Sequence, residues 1–224
     1  MITGHTKGLG KELFKYLAKK HNLIGIARTS DKKKKEKQFR CDVSDYYSLK
    51  KVFSKIKKID VLINNAGISK YSNDEIKNFD KIVKINLNGV YYCSKLGIEK
   101  LKKSQNPRII NISSINAYQA FPSNPGYIAS KGGILSLTRS LALDCQKIKI
   151  NVNSISPGYF KTSMTSKSFN NKFQFQKRTK RTILRRWGDP KDLFGIVEFL
   201  ISKNSSYITG QDFVVDGGWL AKGL

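Results

Sequence analysis

The chain has 224 residues and 39% of them are apolar, enough for one large core and within the length that a single α/β domain reaches. Its 42 Lys and Arg face 16 Asp and Glu, a net charge of +26; that balance raises nucleic acid, anionic membrane and acidic substrates as partners, but most of the cations are scattered lysines, as on a solvated surface. Cys41, Cys93 and Cys145 are widely spaced and form no CxxC pair, which excludes a disulfide framework and a zinc site, and no apolar run approaches the ~18 residues of a membrane span.

Residues 1–10 are Gly-rich and carry no signal-peptide core, so a reducing cytoplasm is the expected location. The turn Thr3-Gly4-His5-Thr6-Lys7-Gly8-Leu9-Gly10 then joins a first strand to a helical pattern, Gly8 to Lys20. Leu23 to Ala27 reads as a strand, and Lys32 to Lys35 as an exposed loop. Gln38 to Val43 is a second short run and Asp45 to Lys57 a helix. Val61 to Asn64 is a buried strand that ends in Asn-Asn-Ala-Gly. Asp74 to Lys103 is a long helical pattern, followed by a strand from Arg108 to Ser113 and a helix from Gly126 to Cys145. Lys149 to Ile155 is another strand. Residues 161–188 are polar, basic and irregular, and Pro190 to Ser202 and Phe213 to Val215 close the chain as helix and strand. Strands alternating with helices imply βαβ units, hence a Rossmann-type, doubly wound parallel sheet with helices on both faces in one domain over residues 1–224.

A glycine turn that opens the first βαβ unit lets the backbone approach a pyrophosphate, and the helix N-terminus offers it free N–H groups. Gly4, Thr6, Lys7, Gly8, Leu9 and Gly10 are therefore the expected phosphate contacts. The second strand ends in Ile26-Ala27-Arg28-Thr29, without the acid that NAD sites use for the ribose hydroxyl. Arg28 and Lys7 flank that point and suit a 2′-phosphate. NADP(H) is favoured, with NAD(H) the alternative if both cations simply face solvent.

Tyr127 and Lys131 stand four residues apart, on one face of a helix. A free tyrosine has a pKa of ~10; a nearby ammonium favours the phenolate and brings proton transfer within reach of neutral pH. Ser114 lies at the end of the strand before them. Taken in order, the Gly-rich turn, Asn64-Asn65-Ala66-Gly67, Asn86, Ser113-Ser114, Tyr127-x-x-x-Lys131, Pro157-Gly158 and Asp216-Gly217-Gly218 resemble the short-chain dehydrogenase/reductase family over practically the whole chain.

The resemblance implies roles. Tyr127 is the general acid or base, Lys131 lowers its pKa and holds the nicotinamide ribose, and Ser114 binds the substrate oxygen. Asn86 holds a water that relays protons to Lys131, or else merely pins its helix. Asp42 and Val43 cap the adenine, and Asn65, Ala66 and Gly67 line the cofactor. Pro157, Gly158 and Thr162 border the nicotinamide, with Thr162 alternatively a helix cap. No metal is expected, and His5 and His21 are read as non-catalytic. All four members of the catalytic set are present, which argues against a cofactor-binding regulator without catalysis. Family members have a longer first strand, whereas only Met1 and Ile2 precede Thr3; such a stub mid-sheet is expected to weaken the fold, and the start is expected either to lie upstream or to be truncated.

Between Lys161 and Arg186 there are nine basic residues and no acid, and four of the eight arginines lie between Arg178 and Arg186. Arginine suits bidentate contact with carboxylate or phosphate. The segment resembles the family's substrate lid, so the expected substrate is a small-molecule or carrier-linked anion: a sugar acid, a nucleotide-linked sugar or a 3-oxoacyl thioester. Structural contacts of Arg181 and Arg186 are the alternative. Phe169, Phe173 and Phe175 interleave with Lys167, Lys172 and Lys177, which reads as a lid helix with one apolar face rather than a nucleic-acid surface. The resemblance also implies a homo-oligomer, dimer or tetramer, through the helices Asp74 to Lys103 and Gly126 to Cys145.

Overall fold

The computed structural model describes residues 1–29 and 36–222; the run Lys32 to Lys35, read above as a loop, lies outside them. Seven strands form one sheet: β1 (Ile2–Thr3), β2 (Ile24–Ala27), β3 (Lys37–Arg40), β4 (Val61–Asn64), β5 (Arg108–Ile112), β6 (Asn151–Pro157) and β7 (Asp212–Val215). Their order is β3-β2-β1-β4-β5-β6-β7, and every pairing is parallel. A parallel sheet needs cover on both faces, so its inner strands read as continuous apolar runs. Neighbouring residues then serve opposite cores. Leu62, Ile109 and Val152 pack with Leu49, Phe53, Leu101 and Leu141 on one side. Ile63, Ile110 and Ile155 pack with Leu13, Phe14, Val197 and Leu200 on the other.

The helices are α1 (Gly8–Leu17), α2 (Tyr46–Ser54), α3 (Glu75–Val83), α4 (Gly89–Leu101), α5 (Pro125–Asp144), α6 (Ser166–Asn170), α7 (Lys172–Arg181) and α8 (Phe194–Ile201); α6 and α7 bury no residue and add nothing to either core. Three of the helices, α2, α3 and α7, start on ordinary side-chain caps. Asp45 accepts from the Ser48 amide at 3.0 Å, Asp74 from the Lys77 amide at 3.0 Å, and Asn171 from the Gln174 amide at 2.9 Å. No described helix is long and apolar enough to cross a membrane.

Two expectations need correction. The pattern Asp74 to Lys103 is helical without a gap but not α-helical throughout, since a π-turn over Lys84–Asn88 joins α3 to α4. Its buried Asn86 bonds the backbone of Ile68 in both directions, accepting from its N–H and donating to its carbonyl, each at 2.9 Å. Residues 161–188 are likewise not irregular throughout, because they contain α6 and α7.

The chain runs β1 to β2 to β3 outward, then returns to place β4 on the other side of β1. That reversal opens a crevice at the carboxyl ends of β1 and β4, where ligands of such sheets bind. The two-residue β1 sits in the middle of the sheet, with Ile2 in register with both Gly25 and Ile63. The ladder runs past both ends of β1: the Ile63 amide donates to the Met1 carbonyl and the Gly4 amide to the Ile26 carbonyl, each at 2.8 Å.

Candidate active site

The crevice is a cleft of about 540 Å³ that begins at the Gly-rich turn. Two residues of β4's exit clamp that turn. Thr3 Oγ1 accepts from the amides of Asn65 and Ala66, each at 3.0 Å. Asn65 Nδ2 donates in return to the carbonyls of Thr3 at 2.9 Å and Gly4 at 3.3 Å. Gly4 has φ +67°, and a Cβ there would lie 2.8 Å from Ala66 Cα, so only glycine fits. Lys7 precedes α1 without a side-chain cap, which leaves the first-turn amides to point into the cleft as an anion cradle.

At the next stretch of wall stand Asp42, Val43, Arg28 and Lys7. Asp42 Oδ1 accepts from the Ser44 amide at 2.8 Å and hydroxyl at 2.7 Å. Burial opposes its charge, yet those bonds together with Lys81 and Arg28 hold the carboxyl below its ordinary range. Arg28 and Lys7 are exposed; both border the cleft without a carboxylate partner among the described residues.

The far end carries Ser114, Tyr127 and Lys131. Proline at the first position of α5 starts the helix that aligns the last two. Ser114 shares this wall with Tyr127, and its Oγ accepts from the Asn116 amide at 3.2 Å. Ser113 turns away and donates to the Lys131 carbonyl at 2.9 Å. Lys131 is 5% exposed; its Nζ donates to the Ile112 carbonyl at 2.8 Å and stands 5.6 Å from the centre of the Tyr127 ring. Burial lowers the Lys131 ammonium to about 8. Burial also raises the Tyr127 phenol, against the lowering influence of the nearby Ser114 hydroxyl. In the bare protein, desolvation therefore outweighs the help that Lys131 was expected to give Tyr127.

Of the residues expected for catalysis or cofactor contact, all but two line this one cleft, whereas none of the lid arginines between Arg178 and Arg186 does. Gly10 lies beneath it, where a Cβ would run into Asn65 Nδ2. Asn86 lies behind it, bonded to Ile68 and, at 3.2 Å, to Ser130. Thr162 lines the cleft and shares a hydrogen bond with Thr165 at 3.2 Å. His5 is buried with Nε2 2.9 Å from Gln38 Oε1. Sequence reasoning missed Cys41, Ile68, Ser69, Phe160 and Met164, which also form the wall. Ile68 and Ser69 directly follow Asn-Ala-Gly, so strand-end position could have found them; Met164 carries no such signal. Among the described residues, no three of His, Cys, Asp and Glu cluster as a metal site.

A nucleotide-sized cleft at the switch point of a parallel sheet, ending in a Ser–Tyr–Lys group, defines a dinucleotide-dependent oxidoreductase. A family model described as enoyl-(acyl carrier protein) reductase matches residues 10–220. A 3-oxoacyl-[acyl-carrier-protein] reductase of Buchnera aphidicola is 36% identical over 97% of this chain and 95% of its own. A 4-hydroxyisoleucine dehydrogenase solved with NADH superposes with TM-score 0.92 at 31% identity, covering 100% of this chain and 98% of that one. A gluconate 5-dehydrogenase from Burkholderia cenocepacia, solved with NADP and tartrate, superposes with TM-score 0.91 at 26% identity over 99% of this chain and 94% of that one. The chain belongs to the short-chain dehydrogenase/reductase family, and it is an oxidoreductase acting between a hydroxyl and a carbonyl group.

Proposed function

We propose that the protein interconverts a carbonyl and a secondary alcohol with NADP(H), on an anionic substrate, and that Tyr127 carries the proton. The observation behind this reading is the grouping of Ser114, Tyr127 and Lys131 on the wall of the same cleft that starts at the glycine cradle. The cleft suits a nicotinamide dinucleotide on its own chemistry, with open helix amides at the phosphates and backbone too close at Gly4 for any side chain. A bound nicotinamide supplies or accepts the hydride. Gly4, Thr6, Gly8, Leu9, Asn65, Ala66 and Gly67 hold the dinucleotide over its length, with Asp42 and Val43 at the adenine and Pro157, Gly158 and Thr162 at the nicotinamide.

In reduction, Ser114 donates to the substrate oxygen as charge develops there, and Tyr127 O–H delivers the proton to that oxygen. Lys131 binds the nicotinamide ribose and, near its midpoint of about 8, returns a proton to Tyr127. Arg28 and Lys7 favour NADP(H) by pairing with the 2′-phosphate. Asn86 keeps the π-turn open beside Ser130 and Lys131 for the proton relay. Residues 161–188 act as the lid over the substrate end. The exposed Tyr91 and Leu143 on α4 and α5 support association of those helices between copies, as a dimer or tetramer.

The anionic reading rests on the basic lid. It is also consistent with the carboxylates named in the relatives: gluconate as substrate of the Burkholderia enzyme and tartrate bound to it. A carrier-linked 3-oxoacyl thioester, the substrate named by the Buchnera relative, is the second member of the same class. The test is NADPH oxidation over acyl thioesters, keto sugars and keto acids, repeated with NADH. Faster turnover of anionic substrates, with NADPH preferred and that preference lost in Arg28→Ala with Lys7→Ala, supports the reading. Neutral keto sugars turned over best with NADH would contradict it.

A further inference from the structure

The lid touches the cleft only through residues 162–165, which carry no charge. Its arginines are engaged elsewhere. Arg186 is bonded to Asp192 at 2.6 and 2.9 Å, and Arg185 donates to the Lys180 carbonyl at 3.0 Å. Arg178 and Arg181 lie over the Tyr159 and Trp219 rings, at 4.7 and 5.6 Å. Among the described residues, four cations do line the cleft: Lys7, Arg28, Lys70 and Lys131. Lys7 and Arg28 stand with Asp42 at the adenine end. Lys131 is buried, with its ammonium held on the Ile112 carbonyl. Lys70 is exposed and belongs to none of the ion pairs among the described residues.

The backbone on either side of Lys70 is fixed by three asparagines. Asn86 holds the N–H and the carbonyl of Ile68. Asn124 Nδ2 donates to the Ser69 carbonyl at 2.9 Å. Asn78 Oδ1 accepts from the amides of Tyr71 at 2.7 Å and Ser72 at 3.1 Å. The Asn124 bond locates the lysine. Asn124 precedes α5, where an asparagine ordinarily caps the helix, yet it makes no cap bond and gives its amide to Ser69 instead. Ser123 before it takes φ +61°, a left-handed conformation that is costly without glycine. Asn124 thus ties the Lys70 loop to the first turn of α5, the turn that carries Tyr127. Ser69, Lys70 and Tyr127 all face the one cleft. A lysine has a flexible stem and three rotatable donors; on this fixed backbone it places a cation at the Tyr127 end, where no acid lines the wall among the described residues.

We infer that Lys70 is a specificity residue that pairs with an oxyanion, carboxylate or phosphate, on the part of the substrate next to the reacting carbonyl. Such a substrate is a short oxo or hydroxy acid or a small sugar phosphate. A 3-oxoacyl chain on a carrier does not fit, because its charge lies a long arm away from the oxo group. The inference rests on the proposal that the substrate is anionic and that Tyr127 marks the reacting end of the cleft. Lys70 takes no part in the proton transfer, and Asn124 is a positioning residue that acts through it.

The experiment uses the full chain saturated with NADPH and titrates tartrate, its neutral counterpart threitol, and inorganic phosphate by calorimetry. The wild type should bind one of the two oxyanions at least tenfold tighter than threitol, tartrate assigning a carboxylate and phosphate a phosphate ester. Lys70→Gln should weaken that oxyanion about 5- to 15-fold, between an exposed ion pair and a hydrogen bond to a charged group, and leave threitol unchanged. Lys70→Arg should recover most of the loss. Lys77→Gln, which removes an exposed cation paired with Asp74 outside the cleft, should bind like the wild type. Asn124→Ala should weaken the oxyanion as well, with no further loss when it is added to Lys70→Gln; additive losses would remove the positioning role of Asn124. Equal oxyanion binding by wild type and Lys70→Gln would overturn the assignment of Lys70, as would an equal loss in Lys77→Gln. NADPH fluorescence titration runs alongside. Normal NADPH binding and an oxyanion preference with no Lys70 effect defeat this inference alone. A wild type that binds threitol as well as either oxyanion defeats the anionic reading beneath it, and absent NADPH binding defeats the nicotinamide reading.

Discussion

Gly10 and Gly195 are both helical glycines, and alanine should act on them with opposite sign. On α8, a Cβ at Gly195 meets nothing within 4 Å, so alanine adds only helix propensity, about 0.5–1 kcal/mol of stabilisation. On α1, a Cβ at Gly10 runs into Asn65 Nδ2 and stands 2.5 Å from the Gly4 carbonyl oxygen. That oxygen is main chain in a positive-φ turn and cannot swing aside. Asn65 can move, but only by giving up its bonds to the Thr3 and Gly4 carbonyls. Overpacking costs about 1–3 kcal/mol and a lost hydrogen bond about 1 kcal/mol. Against a propensity gain of about 1 kcal/mol, Gly10→Ala should lose about 2 kcal/mol. For a chain of this size that lowers Tm by roughly 4–8 °C, while Gly195→Ala raises it by roughly 1–4 °C. Circular dichroism melts read both, and NADPH fluorescence should show binding weakened at least tenfold only in Gly10→Ala. A Gly10→Ala protein that melts as high as Gly195→Ala and binds NADPH like the wild type would refute the turn geometry.

The buried amine of Lys131 has its pKa lowered to about 8 from an ordinary 10.5, so the folded state holds fewer protons than the unfolded state between those values. Stability should therefore rise with pH across about 8 to 10.5 in the wild type relative to Lys131→Met; urea melts that run parallel across that window would remove the buried-amine picture. Asn86→Ala leaves the Ile68 N–H and carbonyl without their partner, a loss of about 2–3 kcal/mol by denaturant unfolding, and Asn86→Asp, which keeps only the acceptor, should recover part of it. Equal stability of all three proteins would show that the π-turn does not depend on this bond. Ser113→Ala should cost stability through the lost bond to the Lys131 carbonyl yet retain far more turnover than Ser114→Ala; the reverse order would exchange the roles of the two serines.

Much of the architecture was readable because its physics is local. The glycine turn, the buried β4 ending in Asn-Asn-Ala-Gly, and the helical spacing of Tyr127 and Lys131 each carry their geometry in a few adjacent residues. The strand Val61 to Asn64 matches its observed bounds. The π-turn between α3 and α4 was hidden because an apolar helical pattern continues through Lys84–Asn88, and what marks the turn is Asn86 reaching Ile68, a contact made across the fold. Helices α6 and α7 were hidden for a similar reason. Their polar sequence has little periodicity, and what orders them is Trp187, which meets Phe169 edge-to-face and stacks on Phe175, while Phe173 stays 68% exposed. Phe169 lies on α6 and Phe173 and Phe175 on α7, so the three rings do not form the single helix face that was expected. The arginine cluster was visible in the sequence, but the individual surroundings of Arg178, Arg181, Arg185 and Arg186 were not, because they depend on which acids and rings the fold brings near.

The most direct test of the account is a comparison of wild type and Tyr127→Phe on the best substrate of the NADPH-oxidation screen, with the NADPH Kd measured for both. Removing only the phenolic oxygen should lower kcat by about 100-fold or more, the scale of a lost general acid, with NADPH affinity unchanged within about twofold, since the ring and Lys131 remain. Turnover that survives the loss of this hydroxyl, with cofactor still bound, would contradict the claim that Tyr127 carries the proton.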